Sequence, residues 1–390
     1  MTEFIDLKTQ YARIQDKVED AVIAAMRAGN FIMGPPVIAL EKRLSDYVGV
    51  RNTISCASGT DALVMALMAK GVAPGDAVFT VPFTFMASAE AIATVGATPI
   101  FVDVDPRTFN MDVAQLARAI DALKTGDRSI HPLPAMPDAE LAALNPRGII
   151  AVDLFGLPAD YDTINALAKA NDLFVIEDAA QSFGATCGNR RAGALAEIGC
   201  TSFFPAKPLG CFGDGGAIFT DDDELAAILR SIRVHGQGSH KYENVRLGLT
   251  GRLDTVQAAV LDVKLDIFDD EMAERQRVAA IYTAAIDRAG IDVIPPSIPD
   301  DYRSAWAQYT LLAPDAEARD IMRERLAAHD IPTMVYYPRS LHMQPVFAYL
   351  GYAENDFPIS ATLGDRVFSV PMHPYLDTGQ IERIVAAMRG

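Results

Sequence analysis

At 390 residues, half of them hydrophobic and 22% charged, the chain is long enough to bury one large core and a smaller second one. Its formal charge of −17 argues against a general nucleic-acid binder, which would show a basic patch or a basic balance. The charge still permits an anionic small substrate, because a few local cations and helix N-termini hold phosphate on an acidic protein.

The first residues, Met1 to Leu7, contain no basic region followed by an apolar core, and no stretch is apolar enough to span a bilayer. Cys56, Cys187, Cys200 and Cys211 form no CxxC pair, which predicts reduced thiols in a cytoplasmic protein. The histidines show no metal-ligand spacing, so no metal is expected.

In chain order, Ile14, Val18, Ala21, Val22 and Ala25 recur at helical spacing and predict a helix over 12–28, ended by Gly29. The loop Asn30 to Pro36, containing Phe31, precedes a second helix with Val37, Leu40, Leu44 and Tyr47 on one face. A short strand, Thr53 to Cys56, leads through Ala57-Ser58-Gly59-Thr60 into a helix to about Lys70. Such a small-residue turn offers free N–H groups and the positive end of a helix dipole to a phosphate, although an ordinary N-cap uses the same residue types. Strands follow at 77–81 and 98–104, with a helix to about Val95 between them and Phe85 just past the first strand's end. Four prolines and several acidic residues between 123 and 147 predict a surface excursion before the strand 148–152.

The apolar run Leu173-Phe174-Val175-Ile176 ends in Glu177-Asp178-Ala179-Ala180-Gln181-Ser182. Ser202-Phe203-Phe204-Pro205-Ala206-Lys207 and Gly213-Asp214-Gly215-Gly216 come next. An Asp at a strand end and a lysine in a turn-rich segment suit pyridoxal phosphate, which needs a lysine for its aldehyde and a carboxylate against its ring nitrogen. Strands alternating with helices over 50–180 predict a mostly parallel sheet, and ligands of such sheets bind beyond the strands' carboxyl ends. Ser58, Phe85, Asp178 and Lys207 all fall there. Further on, a helix is expected at 222–233, then one long helix from about Arg252 to Ala289. A smaller α/β unit follows, with strands at 307–312 and 333–337 and helices at 316–329 and 378–388.

These motifs, with Ser58-Gly59-Thr60-Asp61-Ala62-Leu63, resemble the DegT/StrS group of sugar-nucleotide aminotransferases. The likeness runs from Phe4-Ile5-Asp6-Leu7 to Pro371-Met372-His373-Pro374-Tyr375-Leu376. It implies an α/β fold like that of aspartate aminotransferase (fold type I for pyridoxal phosphate). A large mostly parallel-sheet domain would cover 1–254, and a connecting helix with a small C-terminal domain 255–390. It implies that Lys207 is the catalytic lysine, bonded to the cofactor. Asp178 would meet the ring nitrogen, Gln181 the ring hydroxyl and Phe85 the ring face. Gly59, Thr60 and Ser202 would hold the phosphate. The family builds each site from two subunits of a homodimer, so Thr250 and Arg252 would reach the neighbouring cofactor and substrate. Phe31, Tyr336, Tyr337 and His342 would complete the substrate contacts.

The resemblance points most closely to amino transfer from glutamate to C3 of a UDP-linked 3-keto-N-acetylglucosamine or its uronic acid, for bacterial surface polysaccharide or lipid A. The alternative is a 4-aminotransferase on a UDP- or dTDP-linked 4-keto sugar. The chain departs from the family at Thr250, where asparagine is usual, and at Tyr336, where histidine is usual. Lys207 argues against the sugar dehydratases, which carry histidine there. Lys207, Asp178 and Gln181 together argue against a non-catalytic relative. Gly213 to Gly216 is not a GxGxxG motif, so a nicotinamide enzyme is rejected.

Overall fold

A computed structural model describes residues 2–390. The first helix, α1 (Leu7–Ala28), starts earlier than apolar spacing alone suggests, because the Asp6 carboxylate accepts from Thr9 N–H at 2.8 Å and caps it. Gly29, left-handed at φ 71°, ends it. The second helix is α2 (Pro35–Val48).

Seven strands form the central sheet: β1 (Asn52–Cys56), β2 (Asp76–Thr80), β3 (Thr98–Phe101), β4 (Asn145–Val152), β5 (Phe174–Asp178), β6 (Ile198–Ser202) and β7 (Gly216–Thr220). Their spatial order is β1-β7-β6-β5-β4-β2-β3. Only β7 runs against its neighbours, β1 and β6; the other adjacent pairs are parallel. Helices α3 (Gly59–Ala69), α4 (Ala87–Thr94), α5 (Val113–Thr125), α6 (Asp138–Ala143) and α7 (Tyr161–Ala170) lie in the connections from β1 to β5. Only a turn, 203–215, joins β6 to β7, so the chain returns antiparallel. That turn carries Lys207.

Alternate strand residues feed two cores. Phe79, Ile100 and Ile149 pack with Leu116, Ile120 and Ile164 on one face. Val78, Ile150 and Ile176 pack with α3 on the other, where Ala62 to Leu67 are all buried. A helix apolar on every side stays fixed only inside a core, and this anchors the turn at Gly59.

Three expectations need correction. The long helix is two: after α8 (Asp223–Ile232) come α9 (Thr255–Leu265) and α10 (Phe268–Ala289). Asp266 and Ile267 N–H groups tighten onto carbonyls three residues back, and Asp269, Asp270 and Glu271 favour a fresh helix N-terminus. Residues 333–337 form no strand. Pro332 and Pro338 flank them, and Met334 alone bridges to Ser369. The small sheet instead pairs β8 (Tyr309–Leu312) with β9 (Val367–Val370), antiparallel. It lies among α10, α11 (Ala316–Ala328) and α13 (Thr378–Arg389), after α12 (Pro358–Arg366), around buried Tyr282, Tyr309, Phe368 and Ile384.

The 123–147 excursion is largely exposed, as expected, but it is more than surface decoration. His131, Leu133 and Leu141 are buried, His131 Nε2 lies 2.8 Å from Phe101 O, and Ala135 N–H donates to Leu350 O at 2.7 Å. The segment braces β3 against 341–352, and its prolines and charges conceal these inward residues.

His373 is buried beside Arg275, and burial pushes its pKa down to about 4. The unfolded chain therefore takes up this proton first, so stability is lost as pH falls from about 6.5 toward 4, by about 3 kcal/mol in all. Buried Asp153 and Glu177 are shifted upward and act in the opposite direction over this range. The difference between wild type and His373→Asn isolates the histidine. Urea midpoints are expected to fall more steeply with acid in the wild type, and parallel curves would refute this.

Candidate active site

Beyond the carboxyl ends of β1, β2, β4, β5 and β6 lies a cavity of about 430 Å³. It gathers Gly59, Thr60, Phe85, Asp178, Gln181, Ser202, Lys207, Tyr336 and Tyr337. These come from separate segments, and the parallel strands bring their ends to one rim. A wider hollow of about 770 Å³ beside Arg51 and Asp221 shares no residue with it.

Asp178 is the last residue of β5 and is buried. Ser88 Oγ donates to its Oδ2 at 2.9 Å, and Ala180 N–H to its Oδ1 at 3.3 Å. Burial raises the Asp178 pKa, opposed by Ser88 and by the Lys207 charge. Ser88 is itself 3.2 Å from Thr84 Oγ1, in the loop before α4. Sequence reasoning passed over Ser88; the one signal for it is a hydroxyl in the first turn of α4, on a helix that follows a strand end.

Lys207 N–H donates to Phe204 O at 2.8 Å, which places the side chain in the cavity. Burial lowers the pKa of its amine, while Asp178 pulls it up. Beneath the turn, buried Lys264 donates from Nζ to Gly210 O at 2.6 Å, and Phe212 N–H reaches Gln257 Oε1 at 2.8 Å. A face of α9 thus supports the lysine loop.

The Ser58 hydroxyl accepts from Asp61 N–H at 3.0 Å and so caps α3. The Gly59 and Thr60 N–H groups open the helix toward the cavity, without intrahelical partners. A Cβ on Gly59 would stand 2.6 Å from Ser202 Cβ, so only glycine lets these two segments close on each other.

Gln181 is buried and bound on both sides. Its Oε1 accepts from Phe155 N–H at 2.7 Å, and its Nε2 donates to Tyr337 OH at 3.1 Å. Phe155 takes a left-handed backbone, φ 60°, to point that N–H inward. The Phe85 ring is half exposed at the mouth, 6.2 Å from the Tyr337 ring centre.

Four predicted residues do not line this cavity. Phe31 is exposed in the loop before α2. His342 is buried against the Phe357 ring, 5.0 Å away. Thr250 is exposed, and its hydroxyl lies 2.9 Å from His235 Nε2. Arg252 holds a buried Nε with no partner.

The profile of the DegT/DnrJ/EryC1/StrS aminotransferase family matches residues 12–389. The UDP-2-acetamido-2-deoxy-3-oxo-D-glucuronate aminotransferase of Pseudomonas aeruginosa is 46% identical over 390 residues, covering 100% of this chain and 99% of its own. A UDP-N-acetyl-3-dehydro-alpha-D-glucosamine 3-aminotransferase of Acidithiobacillus ferrooxidans is 38% identical, covering 99% and 96%. The crystal structure of a DegT/DnrJ/EryC1/StrS aminotransferase from Brucella abortus superposes with a TM-score of 0.92 at 46% identity, over 100% and 99% of the two chains.

Proposed function

The chain belongs to the DegT/DnrJ/EryC1/StrS aminotransferase family, and on that premise we propose that it transfers an amino group from glutamate to C3 of a UDP-linked 3-keto-2-acetamido sugar, with pyridoxal phosphate as cofactor. One observation carries the reading: Lys207 and Asp178 share a cavity with the open first turn of α3. This donor set fits the cofactor, with an amine for its aldehyde, a carboxylate for its ring nitrogen and a glycine-dependent cradle for its phosphate. When bound, pyridoxal phosphate supplies an electron sink for the carbon that gains or loses the amine.

The chain's own residues do the rest. Lys207 would hold the cofactor through its side-chain amine until the amino donor arrives. Its freed amine then takes the proton from the α-carbon of glutamate and, in the second half of the cycle, delivers one to C3 of the sugar. Burial lowers its pKa and so favours the neutral amine this requires. Asp178, kept in place by Ser88, supplies negative charge to the ring nitrogen. Gln181 and Tyr337 form one hydrogen-bonded unit that would meet the ring hydroxyl, and Phe85 would cover the ring face. Gly59, Thr60 and Ser202 would hold the phosphate.

We place the working unit in a homodimer. Lys207 is the one cation lining the cavity among the described residues, too few for an anionic nucleotide sugar. Exposed Phe31, Ile32 and Phe212 border the first turn of α9, where Ile32 bridges Asp254 and Gln257 binds Phe212 N–H. An apolar patch of this kind suits a second copy, whose Thr250 to Arg252 segment would bring the missing guanidinium. Sedimentation as a monomer at micromolar concentration would overturn this arrangement. No described helix is long and apolar enough to cross a membrane. The four cysteines are free, as suits the reducing cytoplasm where we place the reaction.

The donor is tested with the sugar left out. Cofactor-loaded protein mixed with glutamate should release one equivalent of 2-oxoglutarate per site and then stop. No release would remove glutamate from the scheme.

A further inference from the structure

Gln308 is a polar side chain of the cavity with no task in the scheme above. It directly precedes β8 and lines the same cavity as Lys207, Gln181 and Tyr337. Its Oε1 is buried without a hydrogen-bond partner, and no other side chain lining the cavity, among the described residues, holds such an orphaned atom.

The backbone that delivers this side chain is clamped. Gln308 N–H donates to Phe155 O at 3.4 Å, and Ala305 N–H to Gly156 O at 2.8 Å. Gly156 has a φ of +105°, and a Cβ there would lie 2.7 Å from Trp306 N. On the other side, Arg275 Nη1 donates to Trp306 O at 2.8 Å, and the Trp306 indole N–H to Gln276 Oε1 at 2.9 Å. Several contacts fix the segment, yet the amide it presents stays unbonded. Buried polar atoms are ordinarily paired, and an orphan facing a ligand cavity is open to a group the ligand brings.

We propose that Gln308 is a specificity-determining residue that binds the 2-acetamido group of the sugar; this rests on the sugar-nucleotide reading above. An acetamide presents an N–H and a C=O, and a carboxamide presents the matching C=O and NH₂. The two pair whichever way the Gln308 amide is turned. A carboxylate offers acceptors alone and leaves the carbonyl half of the Gln308 amide without a donor. A lone hydroxyl cannot match both halves of the amide at once. The site therefore selects a sugar with acetamide rather than hydroxyl at C2.

The test compares two unreactive probes, UDP-N-acetylglucosamine and UDP-glucose, binding to cofactor-loaded protein by titration calorimetry. Wild type is expected to favour the acetamido probe by about 10–100-fold, and Gln308→Leu to reduce that preference to within about threefold of unity. Gln308→Glu keeps the shape, removes the donor half and is expected to lower the preference as well, which answers the question if the leucine variant does not fold. An unchanged preference in the variants, with both probes still bound, would overturn the role of Gln308 alone. Failure of wild type to bind either probe would overturn the sugar-nucleotide reading and this inference with it.

Discussion

Lys207→Ala is expected to lower the turnover of amino transfer by about 10⁴-fold or more, since one side chain supplies both the covalent hold and the proton carrier. No neighbour replaces it. Among the described residues the cavity has no second amine, and its other ionisable groups are the carboxyls of Asp178 and Asp214 and the phenols of Tyr336 and Tyr337. Burial holds Tyr337 well above the ordinary tyrosine pKa, so its phenol is a poor base. A readout apart from turnover separates loss of chemistry from loss of fold. Borohydride reduction of the loaded wild type should fix the cofactor to the peptide containing Lys207, and the variant should carry no label. A variant that keeps more than a hundredth of wild-type turnover would remove Lys207 from its assigned role.

Asp178→Asn is expected to cost about 10²–10³-fold in turnover, the loss typical when one preorganised electrostatic partner is removed. Asparagine keeps the volume and can still accept from the Ser88 hydroxyl, which now bonds Oδ2 at 2.9 Å. What disappears is the negative charge, held among buried groups where charge counts most. The fold should survive, because Asp178 is raised in pKa and its burial as an anion is itself unfavourable. Equal turnover in the two proteins across pH would show that the carboxylate's charge is not used.

Much of this site was legible along the chain because its residues follow strand ends. An apolar run that closes in Glu177-Asp178, or a strand followed by Ser58-Gly59-Thr60, announces itself within ten residues, and parallel strands bring such ends to one rim. Features that depend on distant partners were hidden. Ser88 acts only because α4 sets it against β5, a partner ninety residues away. Gln308 looks like any polar residue before a strand until its segment is clamped on Phe155 and Gly156. The strand β7 begins at Gly216, directly after Gly215, and showed no apolar run until Ile218, and its antiparallel place follows from the helix-free turn before it. The missing 333–337 strand was misread for a related cause: β-branched and aromatic residues suited a strand, but the flanking prolines and a better partner for β8 at Val367 to Val370 prevailed.

The most direct measurement is the position of the new amine. Loaded protein and ¹⁵N-glutamate would be offered UDP-linked 3-keto-N-acetylglucosamine and, separately, its uronic acid, each generated in place by a dehydrogenase, with products read by mass spectrometry and NMR. The expected result is ¹⁵N on C3 of at least one of the two sugars. Release of 2-oxoglutarate from glutamate with no ¹⁵N on either sugar would contradict it, and would direct the search to 4-keto sugars.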